Sequence, residues 1–474
     1  MAPKAKRAGS KKTRTLKRPA AAKPRARPEP VLPNITEDKF CLKTFISDLW
    51  RALNIRKTDK ASWSVLEVAT SCSGVGTPIH CLGMMLGKEW IRELYAVEQD
   101  PAAAQFLMTN FEPLHVFQEA ADIKNGRGMC WRHGCSCDVP SGEQIFVAGF
   151  SCKAFSVQNP GRFSEDASAK AHVTLQACQD TIQLRKPHIV LLENTSGLRC
   201  VSGGGNQDPL LNTVMERLAA SSGPDRVTKC VMGDASPLPC ARKRMLFYNA
   251  ETTVAQRLED MHKRLHERCQ AMPKHCVSSM LEPLNLVTSA SEGMRVTEKA
   301  DFESRYHTAF SKQLAKAVHC ARLPSDVKIP KVRPSKQFSH ALTAWECAQI
   351  DIFGLMLDHQ ISKEGSSGNG RPKLADVSQS PNRGTLFTQG TCATVCTSSK
   401  WYEHESQTVI SPVSFFKIHG HHMKKLKGCE VGHTFSAADI RRFAGNGMAC
   451  TMMVCALTPC LLELGYLQHV PASS

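Results

Sequence analysis

Long apolar runs, an early hydrophobic leader and acids near the start are what this sequence has least of. The most apolar stretch, Met448 to Leu462, is interrupted by Thr458 and Pro459 and followed by Glu463. It falls short of the ~20 residues a membrane span needs, so no membrane partner is expected. No apolar segment follows the basic residues of the first thirty positions, which excludes a secretory signal there. The 21 cysteines are accordingly expected to stay reduced inside the cell. No internal repeat is present, so a solenoid is not expected.

Acids are scarce in the first thirty residues, where Glu29 alone stands against eleven Lys and Arg. That block carries +10 of the formal +17, leaving the rest of the chain only mildly basic. A charge of this size argues for a polyanionic partner. Residues 1–35, rich in Lys, Arg, Ala and Pro, cannot bury enough apolar surface to offset chain entropy and are expected to be disordered. Within them KKTRTLKRPAAAKPRAR resembles a nuclear-localisation signal, which implies a nuclear import receptor and the nucleus.

With 42% hydrophobic and 22% charged residues over 474 positions, the remainder is ordinary globular protein with room for two to three domains. Apolar runs at 64–70, 93–98, 144–150, 188–194, 227–233 and 245–249 read as buried strands. Helix-like segments lie between them, among them Asp100-Pro101 as a cap and first position. Alternating strands and helices imply an α/β fold with a doubly wound, mostly parallel sheet. The spacing gives a catalytic domain over 60–255, a second, irregular domain over 256–410, and a return to the first over 411–474.

In such a sheet ligands bind beyond the carboxyl ends of the strands. There stand Ser73, Gly74 and Gly76 in a small-residue loop, Glu98 after the second strand, and Asp122, which would end a third. Glycines let a ligand approach the backbone, and an acid after the second strand suits ribose hydroxyls. Cys152 follows the next strand as a candidate nucleophile. Glu193 then leaves a strand so apolar that its carboxyl would be desolvated and suited to general-acid work. Arg242 and Arg244, two apart at a strand start, would project to the same side.

Taken in order, SCSGVG, AVEQDPAAAQF, GFSCKAFS, LLEN, ARKR and RFAGNGM resemble the motifs of the cytosine carbon-5 DNA methyltransferase family. The resemblance implies a Rossmann-like methyltransferase fold, S-adenosylmethionine as cofactor and double-stranded DNA as substrate. It makes Cys152 the nucleophile on carbon 6 of a flipped-out cytosine and Glu193 the group on ring N3. Arg242 would hold thiolate and glutamate in register, and Arg244 would bind the cytosine carbonyl. Ser73, Gly74, Gly76, Glu98, Asp122 and Asn446 would hold the cofactor. The 256–410 region becomes the target-recognition domain. A monomer is expected, with no room for the large regulatory modules of maintenance-type enzymes.

Several positions depart from the family pattern. Ser151 stands in place of proline before the nucleophile, Lys153 follows it, Cys240 replaces a glutamine and Cys72 an aromatic. These leave a catalytically inactive DNA-binding homologue and an RNA methyltransferase as alternatives. MCWRHGCSCDVP also places Cys130, His133, Cys135 and Cys137 within eight residues. A Cys-x-Cys pair with one His is crowded for a tetrahedral zinc site. A Cys-rich insertion loop is preferred, and no metal ligand is assigned.

Overall fold

The computed structural model describes residues 35–36, 39–152, 165–199, 210–283, 296–320, 323–326, 342–364, 373–381, 386–387, 390–428 and 434–471. The basic block, Lys153 and parts of the 256–410 segment lie outside the described residues. Seven strands form the central sheet: β1 Leu66–Ser71, β2 Ile91–Val97, β3 His115–Phe117, β4 Ile145–Ala148, β5 Ile189–Thr195, β6 Arg226–Gly233 and β7 Arg244–Glu251. Their spatial order is β6-β7-β5-β4-β1-β2-β3. The pairings among β3, β2, β1, β4 and β5 are parallel, whereas β7 runs antiparallel to both β5 and β6. This is a doubly wound, mostly parallel Rossmann-like arrangement with one antiparallel strand.

The helices of this frame are α1 Leu42–Ala52, α2 Thr77–Met85, α3 Pro101–Asn110, α4 Glu165–Arg185, α5 Leu210–Ser222 and α6 Thr252–Ala271. Further along come α7 Val296–His319, α8 Ala344–Glu364, α9 Ala437–Asn446 and α10 Cys450–Glu463. Strands covered on both faces must be apolar at every position rather than at alternate ones. Leu66, Val68, Ile145, Val147, Ile189 and Leu191 enter one core, shared with α1, α2, α6 and α10. Their neighbours Ala69, Phe146, Ala148, Val190 and Leu192 enter a second core, shared with α4 and α5. Burying one such Leu or Ile fully contributes ~1.5–3 kcal/mol.

The apolar C-terminal run is α10, whose residues Cys450 to Leu461 are all buried. It packs against α2 and α6. Thr458 is accommodated there because its hydroxyl donates to the Val454 carbonyl at 2.8 Å and accepts Trp50 Nε1 at 3.1 Å. No single helix among the described residues is long and apolar enough to cross a membrane.

Helix α6 runs through the expected 255/256 boundary, and Val254, Leu258 and Leu265 belong to the first core. A separate apolar cluster joins α7 and α8 to Val377 and to Ala375, Tyr402 and Val409 of a small four-stranded sheet.

Candidate active site

From β1 the chain moves outward to β2 and β3, then returns to β4 on the other side of β1. That reversal opens a crevice at the carboxyl ends of β1 and β4. The loop after β1 is Cys72-Ser73-Gly74-Val75-Gly76; the one after β4 is Gly149-Phe150-Ser151-Cys152. Both loops predicted to carry function therefore emerge at the switch point.

Gly74 and Gly76 have φ of 54° and 65°. A Cβ on Gly76 would stand 2.7 Å from the Phe111 ring and 2.9 Å from Leu107, whereas one on Gly74 would meet nothing within 4 Å. The Gly74 backbone thus faces open space. Glu98 braces this loop: its carboxylate accepts the Gly74 N–H at 2.7 Å and the Asp100 N–H at 2.9 Å. Burial pushes the Glu98 carboxyl up, and these two amides oppose that shift. Asp100 caps α3 through the Ala102 and Ala103 amides, as the sequence predicts. Cys72, at φ 50°, has its thiol pushed up to about 12, chiefly by burial and then by Glu98.

A cleft is lined by Cys72, Ser73 and Gly74 with Val147 and Gly149 from the β4 side and Asn446, Gly447 and Met448 from the α9 end. Ser73, Gly74 and Asn446 are thus brought together across more than 370 positions of sequence. Arg442 of α9 pairs with Asp100 at 3.1 Å, tying this end to the α3 cap. Asp122 is placed differently from expectation. The third strand ends at Phe117, and Asp122 opens a one-turn helix, Asp122–Asn125. Its carboxylate lies so close over Gly128 that any Cβ there would overlap it. A short turn after a three-residue strand carries no apolar periodicity, which is why its offset was missed.

Cys152 is exposed at the mouth of β4. Around its sulfur the surroundings are crowded: burial raises the thiol, Glu193 raises it further, and the Arg244 and Arg242 charges pull it down. The thiol form therefore predominates at neutral pH in this state. Its loop is held by Asn194, wholly buried, whose amide donates to the Phe150 carbonyl at 2.9 Å. The Ser151 N–H donates to Thr174 Oγ1 of α4 at 2.9 Å, a bond that proline could not make.

Glu193 of β5 and Arg244 of β7 meet at 2.6 Å between Oε1 and Nε. The ion pair holds the Glu193 carboxylate beside Cys152, whose thiol it pushes up. Gly149 is required beside it, since a Cβ there would lie 2.9 Å from Met448 and 3.4 Å from Glu193 Oε2. Arg242 is buried just before β7, and its guanidinium donates to the carbonyls of Val395, Gly445 and Gly447. Burial pushes it down to about 10. The two arginines thus divide: Arg244 reaches Glu193, while Arg242 ties the strand start to the loop at 395 and the end of α9. Gly149, Met448, Thr174 and Val395 lie outside the sequence-based set, because each enters through long-range packing.

The sheet order and the glycine loop at its switch point define a Rossmann-like α/β fold with a ligand crevice at the strand ends. Residues 72–219 match the model of the C-5 cytosine-specific DNA methylase family. A DNA (cytosine-5-)-methyltransferase, DMT5, of Cryptococcus neoformans var. grubii is 29% identical over 160 residues. That match covers 31% of this chain and 6% of the relative. The solved S. pombe Dnmt2 methyltransferase aligns over 84% of this chain and 98% of its own, at 12% identity and a TM-score of 0.38. A putative DNA modification methyltransferase encoded within an E. coli prophage aligns over 84% and 99%, at 14% identity and a TM-score of 0.42.

Proposed function

We propose that this protein transfers a methyl group from S-adenosylmethionine to carbon 5 of cytosine in DNA, through a covalent adduct of Cys152 with a flipped-out base. The observation that carries this reading is the convergence of Cys152, Glu193 and Arg244 at neighbouring strand ends, beside the open glycine loop of β1.

The donor chemistry of that loop fits the cofactor. Gly74 leaves its backbone open to close approach, Glu98 stands at the end of β2 for ribose hydroxyls, and Ser73 and Asn446 line the same cleft, while Gly76 shapes the turn by packing against Phe111. Asp122, beyond the end of β3, is proposed for the adenine amino group. When bound, S-adenosylmethionine supplies an electrophilic methyl group. The protein's task is to make carbon 5 of cytosine nucleophilic. The Cys152 thiol passes its proton to the Glu193 carboxylate as its sulfur adds to carbon 6, and Glu193 delivers that proton to ring N3, leaving an enamine with electron density on carbon 5. After methylation a base removes the carbon-5 proton, and departure of Cys152 restores the aromatic ring. Arg244 and Arg242 favour the thiolate, and engagement of Glu193 by the base removes the charge that opposes it. A cytosine stacked in duplex cannot reach this crevice, so it is extruded at a cost of a few kcal/mol.

The lobe built on α7, α8 and the small sheet is proposed as the target-recognition element. The basic block of residues 1–30 is proposed to supply loose phosphate contact and, through an import receptor, nuclear address; a monomer suffices for this chemistry. Incubation with methyl-labelled S-adenosylmethionine and either duplex DNA or tRNA tests the proposal. Label on cytosine carbon 5 of DNA, abolished by Cys152→Ala, is expected. Label on tRNA alone would overturn the choice of substrate. No label on either, from folded protein that binds the cofactor, would favour an inactive DNA-binding homologue.

A further inference from the structure

The strand at the far edge of the sheet carries a second site. Beyond β3 the chain forms an antiparallel pair, Arg127–Met129 with Ser136–Asp138, in which Gly128 faces Cys137. The turn between them closes through Gly134 N–H to the Cys130 carbonyl at 2.9 Å and Cys130 N–H to the Cys135 carbonyl at 3.0 Å. Gly134 has φ of 66°, the left-handed conformation this turn requires. The fold brings His115, Cys130, His133 and Cys137 together, with one ligand atom from each inside 4.8 Å of all the others.

Cys130 Sγ and Cys137 Sγ each stand 3.4 Å from His133 Nδ1. Zinc–sulfur and zinc–nitrogen bonds of about 2.3 and 2.05 Å in a tetrahedron give a sulfur–nitrogen edge of about 3.5 Å. Both thiols converge on the one ring nitrogen, Cys137 having besides it a long contact to the Cys135 carbonyl at 3.8 Å, whereas a cation at the centre would bind both sulfurs and the nitrogen. His115 Nδ1 is shut off from solvent with no hydrogen-bond partner, and its ring centre lies 4.9 Å from that of His133. The Val116 N–H points at Cys130 Sγ from 3.4 Å, as an amide does towards a metal-bound thiolate. Cys135 is exposed, with its sulfur 3.9 Å from Cys137 Sγ but outside the four-residue group. This resolves the crowding of the Cys-x-Cys pair: Cys135 is replaced as ligand by His115, twenty residues upstream.

We infer that His115, Cys130, His133 and Cys137 form a structural Cys2His2 zinc site that staples the hairpin to the edge strand of the sheet. Zinc suits two thiols and two imidazoles in a tetrahedral, closed arrangement. The staple reaches the cofactor loop through Trp131, whose indole N–H donates to the Glu98 carbonyl at 2.9 Å and whose backbone N–H donates to Val116 at 2.7 Å. The other His/Cys cluster, His80, His421 and Cys450, is less suited, because His80 Nε2 already accepts the His422 N–H at 3.2 Å.

The test is metal content and X-ray absorption of the full chain purified without a histidine tag from zinc-supplemented cells. One zinc per chain in a two-sulfur, two-nitrogen shell is expected, retained in Cys135→Ser and lost in the Cys130→Ser, Cys137→Ser pair. His115→Ala should weaken zinc binding at least about tenfold. Should the paired variant fail to fold, chelator-stripped wild-type protein refilled with cobalt gives the same answer: tetrahedral thiolate–cobalt absorption supports the site. Wild type with little zinc, cobalt bound without thiolate, or loss of metal in Cys135→Ser while Cys137→Ser keeps it would each overturn the inference. None of these readouts depends on methyl transfer.

Discussion

Exchanging Gly76 or Gly74 for alanine separates what the β1 loop does for folding from what it does for a ligand. Both residues sit at positive φ, where an L-residue costs ~1–2 kcal/mol. At Gly76 the new methyl would also press on Phe111 at 2.7 Å and Leu107 at 2.9 Å, and such overpacking costs ~1–3 kcal/mol. The sum for Gly76→Ala is about 3 kcal/mol, which lowers Tm by roughly 3 °C in a folded unit of this size. Gly74→Ala meets no neighbour within 4 Å. Its backbone cost is partly offset by a stiffer unfolded chain, leaving about 1 kcal/mol or less. Its methyl, however, enters the open space assigned to the cofactor. Urea unfolding and calorimetric titration with S-adenosylhomocysteine are the assays. Gly76→Ala should lose stability, and Gly74→Ala should keep it but lose affinity tenfold or more, about 1.4 kcal/mol. Equal destabilisation of the two, or unchanged affinity in Gly74→Ala, would refute the placement of the ligand against Gly74.

Burial pushes His80 and His262 down to about 4. Their folded values lie below the unfolded one, so stability is lost as pH falls through 6.5, by about 2 kcal/mol each at pH 5. Glu93, pushed up to about 8 by burial, has the opposite sign and loses stability as pH rises from 4.5 towards 8. Urea midpoints should therefore peak near pH 6.5, and a midpoint rising steadily from pH 5 to 8 would contradict this. Arg185 pairs with buried Glu143 at 2.7 Å, so Arg185→Met should cost about 3–5 kcal/mol by stranding a buried charge. A loss under about 1 kcal/mol in urea unfolding would show the pair to be dispensable. Ser151→Pro removes the N–H that reaches Thr174 and should cost about 1 kcal/mol. Combined with Thr174→Val it should add little further, which a double-mutant cycle measures.

The six apolar runs of the sheet were legible because strands covered on both faces are apolar at consecutive positions, as in Val190, Leu191 and Leu192. Their ends were legible too, since Ser73, Gly74, Cys152 and Glu193 stand where polar and small residues interrupt those runs. Strand direction was not: Arg244 and its successors read the same whether β7 runs parallel or antiparallel. Nor was the division between the arginines. The Arg242 contacts to Val395, Gly445 and Gly447 depend on loops more than 150 residues away in sequence. His115 shows the same limit, since nothing in its own neighbourhood announces Cys130 and Cys137.

The central claim is that the Cys152 sulfur bonds to carbon 6 of a flipped cytosine. A duplex carrying 5-fluorocytosine blocks the final proton removal, so the adduct persists through denaturation. Incubated with cofactor, the wild-type protein should form a denaturation-resistant complex whose peptide map places DNA on Cys152, and Cys152→Ala should form none. A complex that survives in Cys152→Ala, or active wild-type protein that methylates DNA without trapping, would contradict the account.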